Sequence, residues 1–132
     1  MKITRASDYT IRLLIHLASQ GGVGTSEALA KELDIPFNHL AKLVQTLSRR
    51  GYLITRKGKG GGLRLALDPR KINLASIIEM MDGPMILNEC ILHRENCRFS
   101  GKCKFRRYLS QVRNQMLTMF ENKSIYDLVP AK

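Results

Sequence analysis

Three cysteines, Cys90, Cys97 and Cys103, are the residues of this sequence with the most distinctive chemistry. Six and five residues separate them, whereas zinc fingers and ribbons place their cysteines in close pairs, usually two residues apart. Their odd number, in a chain with no readable export signal, argues against a disulfide framework. The spacing leaves three interpretations open: an iron–sulfur centre, zinc bound together with His93 or Glu89, and unligated reactive thiols.

The residues around these thiols are strongly basic. Positive charge stabilises a thiolate over a thiol, and the thiolate is the form that binds metal. An iron–sulfur cluster usually takes four protein ligands, so a chain with three cysteines needs a fourth ligand of another type or leaves one iron open to a small molecule. The basic residues of this stretch are Arg94, Arg98, Lys102, Lys104, Arg106 and Arg107.

A second informative stretch lies between Ile35 and Leu67, where the sequence has seven Lys and Arg and no Asp or Glu. The whole chain of 132 residues has 22 basic and 11 acidic residues, hence a net charge of +11. Such an excess suits a polyanion, nucleic acid before an anionic membrane surface. Because 44% of the residues are hydrophobic, we expect a folded domain rather than a disordered basic tail.

Periodicity and turn signals predict the elements that carry this basic stretch. Gly21, Gly22 and Gly51 are predicted to end helices, and Ser26 is predicted to cap one. A helix, a turn and a second helix followed by a hairpin form a winged helix-turn-helix. The predicted elements are helices over 8–19, 26–33 and 37–50, strands over 52–55 and 63–67 joined by a glycine-rich turn, a helix over 72–81, a loop over 88–103, and a long helix from Lys104.

The third helix is predicted to be the recognition helix. Its apolar residues form one buried stripe, namely Leu40, Leu43, Val44 and Leu47. Near its N-terminus we expect Asn38, His39 and Lys42 to reach base edges, although His39 could equally contact phosphate or pack. The residues expected to contact phosphates or the minor groove are Arg49, Arg50, Arg56, Lys57 and Lys59. The alternative is a basic surface that is merely solvated.

The long C-terminal helix has an apolar stripe that predicts a partner surface. A terminal helix this apolar along one face needs a second surface to cover it, so it is a candidate dimer interface as well as a core element. Ser124 is predicted to cap a last short turn. We therefore expect a mainly α fold with a small hairpin, divided into a DNA-binding domain (1–82), a cysteine loop (83–103) and a dimerisation helix with a C-terminal turn (104–132). The stripe consists of Phe105, Leu109, Val112, Met116, Met119 and Phe120.

Other function classes find little support. The histidines His16, His39 and His93 lie far apart in sequence, and no nucleophile elbow, phosphate loop or HExxH motif is present. The apolar runs are shorter than the ~20 residues of a membrane-spanning helix. We expect a cytoplasmic protein that is not an enzyme and does not act at a membrane.

Several motifs together resemble the iron–sulfur winged helix-turn-helix regulators, the family that includes NsrR, IscR and RirA. The similarity covers nearly the whole chain, and the motifs are most similar to the nitric-oxide-sensing repressors of the NsrR type. They are Ser7-Asp8-Tyr9 with Arg12-Leu13-Leu14, Asn38-His39-Leu40 with Lys42, Leu47-Ser48-Arg49 with Gly51-Tyr52, the hairpin sequence from Gly58 to Leu65, and the three cysteines before a long helix.

This resemblance implies a homodimeric repressor whose long helices cross, with each cysteine loop near the partner's DNA-binding domain. It implies that Cys90, Cys97 and Cys103 hold a 4Fe-4S cluster and that Asp8 of the other subunit supplies a fourth ligand. Nitric oxide would then displace a ligand and lower operator affinity. A 2Fe-2S cluster of the IscR type is less favoured, because Arg106 stands where that pattern has a histidine.

Three departures from the family pattern limit what can be transferred. The first cysteine interval has six residues where relatives more often have five, Lys57 replaces a customary arginine, and Ala41 replaces a glutamate used by the IscR branch. An iron- or cluster-status regulator of the RirA or IscR kind would share every motif. A zinc-stabilised or cofactor-free DNA-binding module is the remaining alternative.

Overall fold

The computed structural model describes residues 2–20, 24–58, 61–93, 95, 97–99 and 101–131. It is mostly helical with one two-stranded antiparallel hairpin, which confirms the predicted fold class. Predictions that concern Gly21, Gly22, Lys59 and Arg94 lie outside these residues. The elements are α1 (Arg5–Gln20), α2 (Ser26–Leu33), α3 (Phe37–Arg49), β1 (Leu53–Arg56), β2 (Gly62–Leu65), α4 (Leu74–Asp82) and α5 (Lys104–Glu121), with 3-10 turns at Pro69–Lys71, Glu89–Ile91 and Tyr126–Leu128.

Helix α1 begins three residues earlier than predicted. Thr4 precedes it, and the Thr4 hydroxyl accepts a hydrogen bond from the Ser7 N–H at 3.4 Å. The same hydroxyl donates to the carboxylate of Asp82, at the far end of α4. The contact of Thr4 with Ser7 is a local capping signal that the apolar periodicity did not include, whereas the bond to Asp82, 78 residues away, is one that no local pattern could reveal. Asp8 consequently lies within the first turn of α1 rather than at its cap.

Capping side chains also correct the predicted cap of α2 and the predicted start of α4. The cap of α2 is Thr25, not Ser26, because the Thr25 hydroxyl accepts from the Ala28 N–H at 3.2 Å. Helix α4 starts at Leu74 instead of Ile72, since the side chain of Asn73 accepts from the Ser76 N–H at 2.9 Å. An amide or hydroxyl oxygen at this position satisfies an N–H that the helix itself leaves free.

Strand β1 lies one residue later than predicted, and β2 starts one residue earlier and ends two residues earlier than predicted. The Tyr52 N–H bonds to the Leu47 carbonyl at 2.9 Å, so Tyr52 belongs to the turn that ends α3 and the strand starts at Leu53. Leu53 pairs with Leu65 across the ladder. The Leu63 N–H also bonds to the Gly24 carbonyl at 2.9 Å, which fastens the hairpin to the connection before α2.

One apolar core joins α1, α2, α3, the hairpin and α4. The predicted stripe of α3 is buried in it, as expected. The C-terminal segment returns to the same core after α5: Ile125 is fully buried, and its N–H bonds to the Ile72 carbonyl at 2.8 Å. Ser124 accepts from the Asp127 N–H at 3.2 Å, but Ile125, not the predicted Ser124, occupies the capping position of the Tyr126–Leu128 turn. No helix in the described ranges is long and apolar enough to cross a membrane.

Candidate DNA interface and cysteine loop

The exposed side of α3 and the hairpin form a continuous basic surface. Asn38, Lys42, Arg49 and Arg50 are exposed on α3, opposite its buried leucines. Arg56, Lys57 and Arg64 are exposed on the hairpin. No carboxylate occurs between residues 35 and 67 to neutralise these charges. This surface therefore combines a helix that can enter a major groove with flanking cations suited to phosphates.

A tight turn shapes the end of the hairpin. The Gly61 N–H bonds to the Gly58 carbonyl at 2.9 Å. A Cβ atom at Gly61 would lie 2.2 Å from the Arg56 carbonyl oxygen, so the chain can close here only without a side chain. The turn keeps the exposed Arg56 and Lys57 close to the end of the hairpin, where they can approach a DNA backbone.

His39 is less exposed than the helical pattern predicted. Its ring is half-buried and meets the ring of Tyr9 edge-on, with 5.0 Å between the ring centroids and 77° between the planes. Tyr9 lies on α1, so the contact depends on how α1 packs against α3. Packing, one of the roles predicted for His39, is therefore observed.

Asp8 and Arg12 extend this contact along α1. The Arg12 guanidinium forms an ion pair with the Asp8 carboxylate, with Nη2–Oδ2 at 2.8 Å and Nε–Oδ1 at 3.2 Å. The same guanidinium lies 5.9 Å from the centroid of the Tyr9 ring. The four-residue spacing of Asp8 and Arg12 is a signal that the sequence does contain. A line of contacts therefore runs from Asp8 through Arg12 and Tyr9 to His39 in the first turn of α3.

The three cysteines are free thiols and all are half-buried. Cys90 lies in the 3-10 turn after α4, and Cys103 directly precedes α5, where its Sγ accepts from the Arg106 N–H at 3.3 Å. The Arg106 side chain donates from Nε to the Cys90 carbonyl at 3.0 Å. Arg106 thus contacts both Cys90 and Cys103, a role that its spacing from them in the sequence did not indicate.

The donor chemistry fits a soft metal centre, although the described residues contain no group of three or more His, Cys, Asp or Glu positioned to hold a metal ion. Three unpaired thiols share one loop, and Cys103 faces the positive end of an 18-residue helix. A cavity of about 380 Å³ adjoins Cys103 and is lined otherwise by Arg98, Phe99, Lys102 and Lys104. His93, the candidate zinc ligand, instead faces Glu95, with Nδ1–Oε1 at 3.5 Å.

The apolar stripe predicted for α5 divides into two faces. Met116 and Phe120 pack, together with Leu117, against the buried cluster of Ala75, Ile78 and Met85. The other face is open to solvent: Phe105 is 63% and Met119 is 74% exposed. We call this second face the open α5 stripe; its residues are Phe105, Tyr108, Val112 and Met119.

Comparisons with known sequences cover the same elements. The profile of the Rrf2 family, described as "Iron-dependent Transcriptional regulator", matches residues 3–131. The HTH-type transcriptional regulator NsrR of Bacillus subtilis is 32% identical over 135 residues, which is 100% of this chain and 92% of that protein. The regulator of the same name from Halalkalibacterium halodurans is 31% identical over 132 residues, covering 98% and 90% of the two chains.

Solved structures show the same fold. A putative transcriptional regulator from Listeria innocua has a TM-score of 0.82 at 25% identity, covering 97% of this chain and 85% of that one. CymR, the global cysteine regulator of B. subtilis, has a TM-score of 0.79 at 22% identity, covering 98% and 96%. IscR of T. potens has a TM-score of 0.75 at 18% identity, covering 97% and 85%.

Proposed function

The chain belongs to the Rrf2 family of transcriptional regulators and is not an enzyme, and from this premise we propose a homodimeric cytoplasmic repressor that senses nitric oxide through an iron–sulfur cluster. The observation that carries the DNA-binding part is the basic surface of α3 and the hairpin, which has no carboxylate over residues 35–67. The similarity to the NsrR proteins supports the proposed signal.

In the proposed complex, α3 lies in the major groove. Asn38 can bond to adenine and Lys42 to guanine, while Arg49, Arg50, Arg56 and Lys57 contact phosphates. Lys59 stays a further predicted contact. His39 supports the start of α3 by packing on Tyr9. Two such helices of a dimer must lie about 34 Å apart to enter successive major grooves, so any change in their spacing changes operator affinity.

The open α5 stripe supports dimerisation. Its exposed aromatic and aliphatic side chains would leave water if a second copy of α5 packed against them. Each subunit would then contribute one helix to a shared interface, and this interface would set the distance between the two copies of α3.

Cys90, Cys97 and Cys103 are the proposed ligands of a cluster, most simply of the 4Fe-4S type. When bound, the cluster supplies iron atoms with which nitric oxide reacts. Asp8 from the other subunit is the proposed fourth ligand, and its carboxylate is the one that pairs with Arg12. Arg12 also lies beside Tyr9, which packs on His39. A change in the contacts of Asp8 can therefore alter how Tyr9 packs on His39 at the start of α3.

The test begins with the full chain purified without oxygen. We expect a coloured protein with iron–sulfur absorption, which binds a duplex selected by the protein itself from a random DNA library. Nitric oxide should lower this affinity at least about 10-fold, measured by fluorescence anisotropy. A colourless protein whose DNA binding ignores both nitric oxide and iron chelation would overturn the cluster proposal and favour the zinc or cofactor-free alternative.

Iron status is a second candidate signal, because the matching family profile is described as iron-dependent. Loss of DNA binding on iron chelation, with no effect of nitric oxide on the intact protein, would establish that signal instead. Asp8→Ala should keep the colour but alter the response to nitric oxide. Glu27→Ala is the matched control, since Glu27 is an exposed acidic residue in the first turn of α2. Equal responses of both variants to wild type would exclude Asp8 as a ligand.

A further inference from the structure

The segment that leads from α4 to Cys90 is attached to the rest of the chain at three points. Asp82, at the end of α4, accepts from the Thr4 hydroxyl and from the Thr4 N–H. Met85 is 1% exposed, and its carbonyl accepts from Arg113 Nε at 2.7 Å. The Cys90 carbonyl accepts from Arg106 Nε at 3.0 Å. Three attachments within nine residues leave this segment little freedom.

Two of these attachments come from one face of α5. Arg106 and Arg113 are seven residues apart, close to two helical turns, so their side chains leave the helix in nearly the same direction. Both are half-buried and both donate Nε–H to a backbone carbonyl of the preceding segment. The neighbouring Lys104 and Arg107 are exposed. Arg106 and Arg113 therefore differ from the solvated cations around them.

Arg106 connects two of the three thiol-bearing residues. Its side chain bonds to the Cys90 carbonyl, and its own N–H donates to Cys103 Sγ at 3.3 Å. Within the described ranges, Cys97 shows no comparable contact. One residue thus joins the backbone of Cys90 to the sulfur of Cys103.

We propose that Arg106 and Arg113 are positioning residues, which hold Cys90 beside Cys103 at the start of α5 before any metal binds. Arg113 fixes the segment at Met85, and Arg106 fixes its end at Cys90. The meaning of this arrangement for a metal centre rests on the proposed function, but the arrangement of the two thiols does not. Arginine suits the role because its Nε–H points sideways from the chain and its charge is permanent, whereas lysine offers only a terminal ammonium.

The same helix has a second role in this arrangement. The Arg106 and Arg113 face of α5 points to its own chain, while the open α5 stripe lies on an adjacent face. A partner packed on the open α5 stripe would contact the same helix that bonds to the Cys90 carbonyl through Arg106. The pair of arginines thus provides a physical connection between the proposed dimer interface and the thiols.

The first experiment measures the proximity of the two thiols in the reduced, metal-free full chain. The background variant Cys97→Ser leaves only Cys90 and Cys103, which dibromobimane joins when they lie close together. We expect efficient intramolecular cross-linking, about 10-fold slower with Arg106→Leu and about 3-fold slower with Arg113→Leu, as expected for the loss of a charge-assisted hydrogen bond. Arg107→Leu is the matched control and should change nothing.

Two further measurements distinguish a positioning role of Arg106 from an effect of its charge and from a loss of folding stability. Arg106→Lys keeps the charge but loses Nε–H, so it should cross-link as slowly as Arg106→Leu; full rescue by lysine would overturn the proposal in favour of a purely electrostatic effect. Monobromobimane labelling of each thiol and the thermal unfolding midpoint should stay near wild type. If cross-linking is slow only in variants whose thermal unfolding midpoint is lower, that result would also count against a positioning role.

The last experiment uses Co²⁺ as a probe of the complete three-cysteine chain. Thiolate-to-cobalt charge-transfer absorption should appear at about 10-fold higher Co²⁺ with Arg106→Leu and at the wild-type concentration with Arg107→Leu. Wild-type cross-linking and Co²⁺ binding in the Arg106 variant would refute the proposal. If the variants behave as expected but anaerobic wild-type protein is colourless, the positioning role stands and the proposed cluster fails.

Discussion

The DNA-facing region and the cysteine region are built in different ways. Helix α3 rests on fully buried leucines such as Leu40 and Leu47, and the hairpin is bonded to the connection before α2. Helix α5 is longer, yet none of its 18 residues is buried, and the preceding segment is attached largely through arginine side chains. The first region is complete within one chain, whereas the second has an apolar surface that a single chain does not cover.

This difference indicates which region of the molecule a regulatory signal can alter. A unit built on a dense core unfolds or stays intact as a whole, whereas a unit with an uncovered apolar face can respond to whatever packs on that face. The three proposed cysteine ligands lie in the second kind of unit, and the residues proposed to contact DNA lie in the first. Four predictions test this contrast, in order of decreasing effect.

The largest effect should come from the core beneath α3. Leu47→Ala leaves a cavity at a fully buried site and should lower the free energy of unfolding by about 3–5 kcal/mol, measured by urea denaturation. Gln45→Ala, on the exposed side of the same helix, should change it by less than about 0.5 kcal/mol. Equal losses of unfolding free energy in the two variants would contradict the conclusion that buried leucines hold α3 in place.

The next effect concerns the open α5 stripe. Met119→Glu would bury a charge in the proposed interface, so dimer affinity should fall roughly 100-fold, or about 3 kcal/mol, in analytical ultracentrifugation. Unfolding of the monomer should change little, because Met119 is 74% exposed. Asn114→Glu, exposed on another side of α5, is the control. A Met119→Glu protein that remains a tight dimer would show that another surface joins the subunits.

A smaller effect separates the two basic regions. Arg49→Ala should weaken DNA binding about 5- to 10-fold at low salt and reduce the slope of log affinity against log salt by about 1, since one phosphate-neutralising cation is lost. Lys104→Ala removes the same charge beside Cys103 and should leave the slope unchanged. Equal slopes for the two variants would mean that both basic regions contact DNA.

The smallest effect lies in the C-terminal turn. The Ser124 backbone N–H and hydroxyl donate to the Asp127 carboxylate and lower its pKa below the ordinary value. A lowered folded-state pKa adds stability at pH values above the unfolded pKa, and this stability is lost as the pH falls below about 4. Asp127→Asn should therefore reduce the fall of the unfolding midpoint that the wild type shows as the pH is lowered below about 4. Glu121 is an exposed acidic residue on α5, and Glu121→Gln should show the same fall of the unfolding midpoint as the wild type.

Much of the DNA-facing region was predictable because it depends on local signals. Helix α2 has the predicted bounds and α3 ends within one residue of them, since periodic leucines, Gly51 and the proline before Phe37 are all signals within a few residues. The cap of α2 was misplaced by one residue, because Thr25 and Ser26 are both good capping residues. The basic surface followed from composition, because side chains on the solvent side of a helix need no partner to be placed.

The contacts that define the candidate sites could not be predicted in this way. His39 is half-buried because α1 brings Tyr9 against it, and the start of α1 is attached to the end of α4 because Thr4 bonds to Asp82. Arg106 bonds to a carbonyl 16 residues away and Arg113 to one 28 residues away. A backbone carbonyl carries no side-chain identity, so the sequence contains no pattern that marks it as the acceptor.

The sequence by itself determined the helix-turn-helix with its hairpin, the basic face of α3, the resemblance to iron–sulfur regulators and the three thiols of one loop. These follow from residue type and from periods of two and 3.6 residues, which local backbone geometry imposes. Only the tertiary structure decided which half of the α5 stripe is covered, which cations are solvated, and which arginines bond to the carbonyls of Met85 and Cys90. Those outcomes depend on the distances between segments remote in sequence, and such distances exist only after the chain has packed.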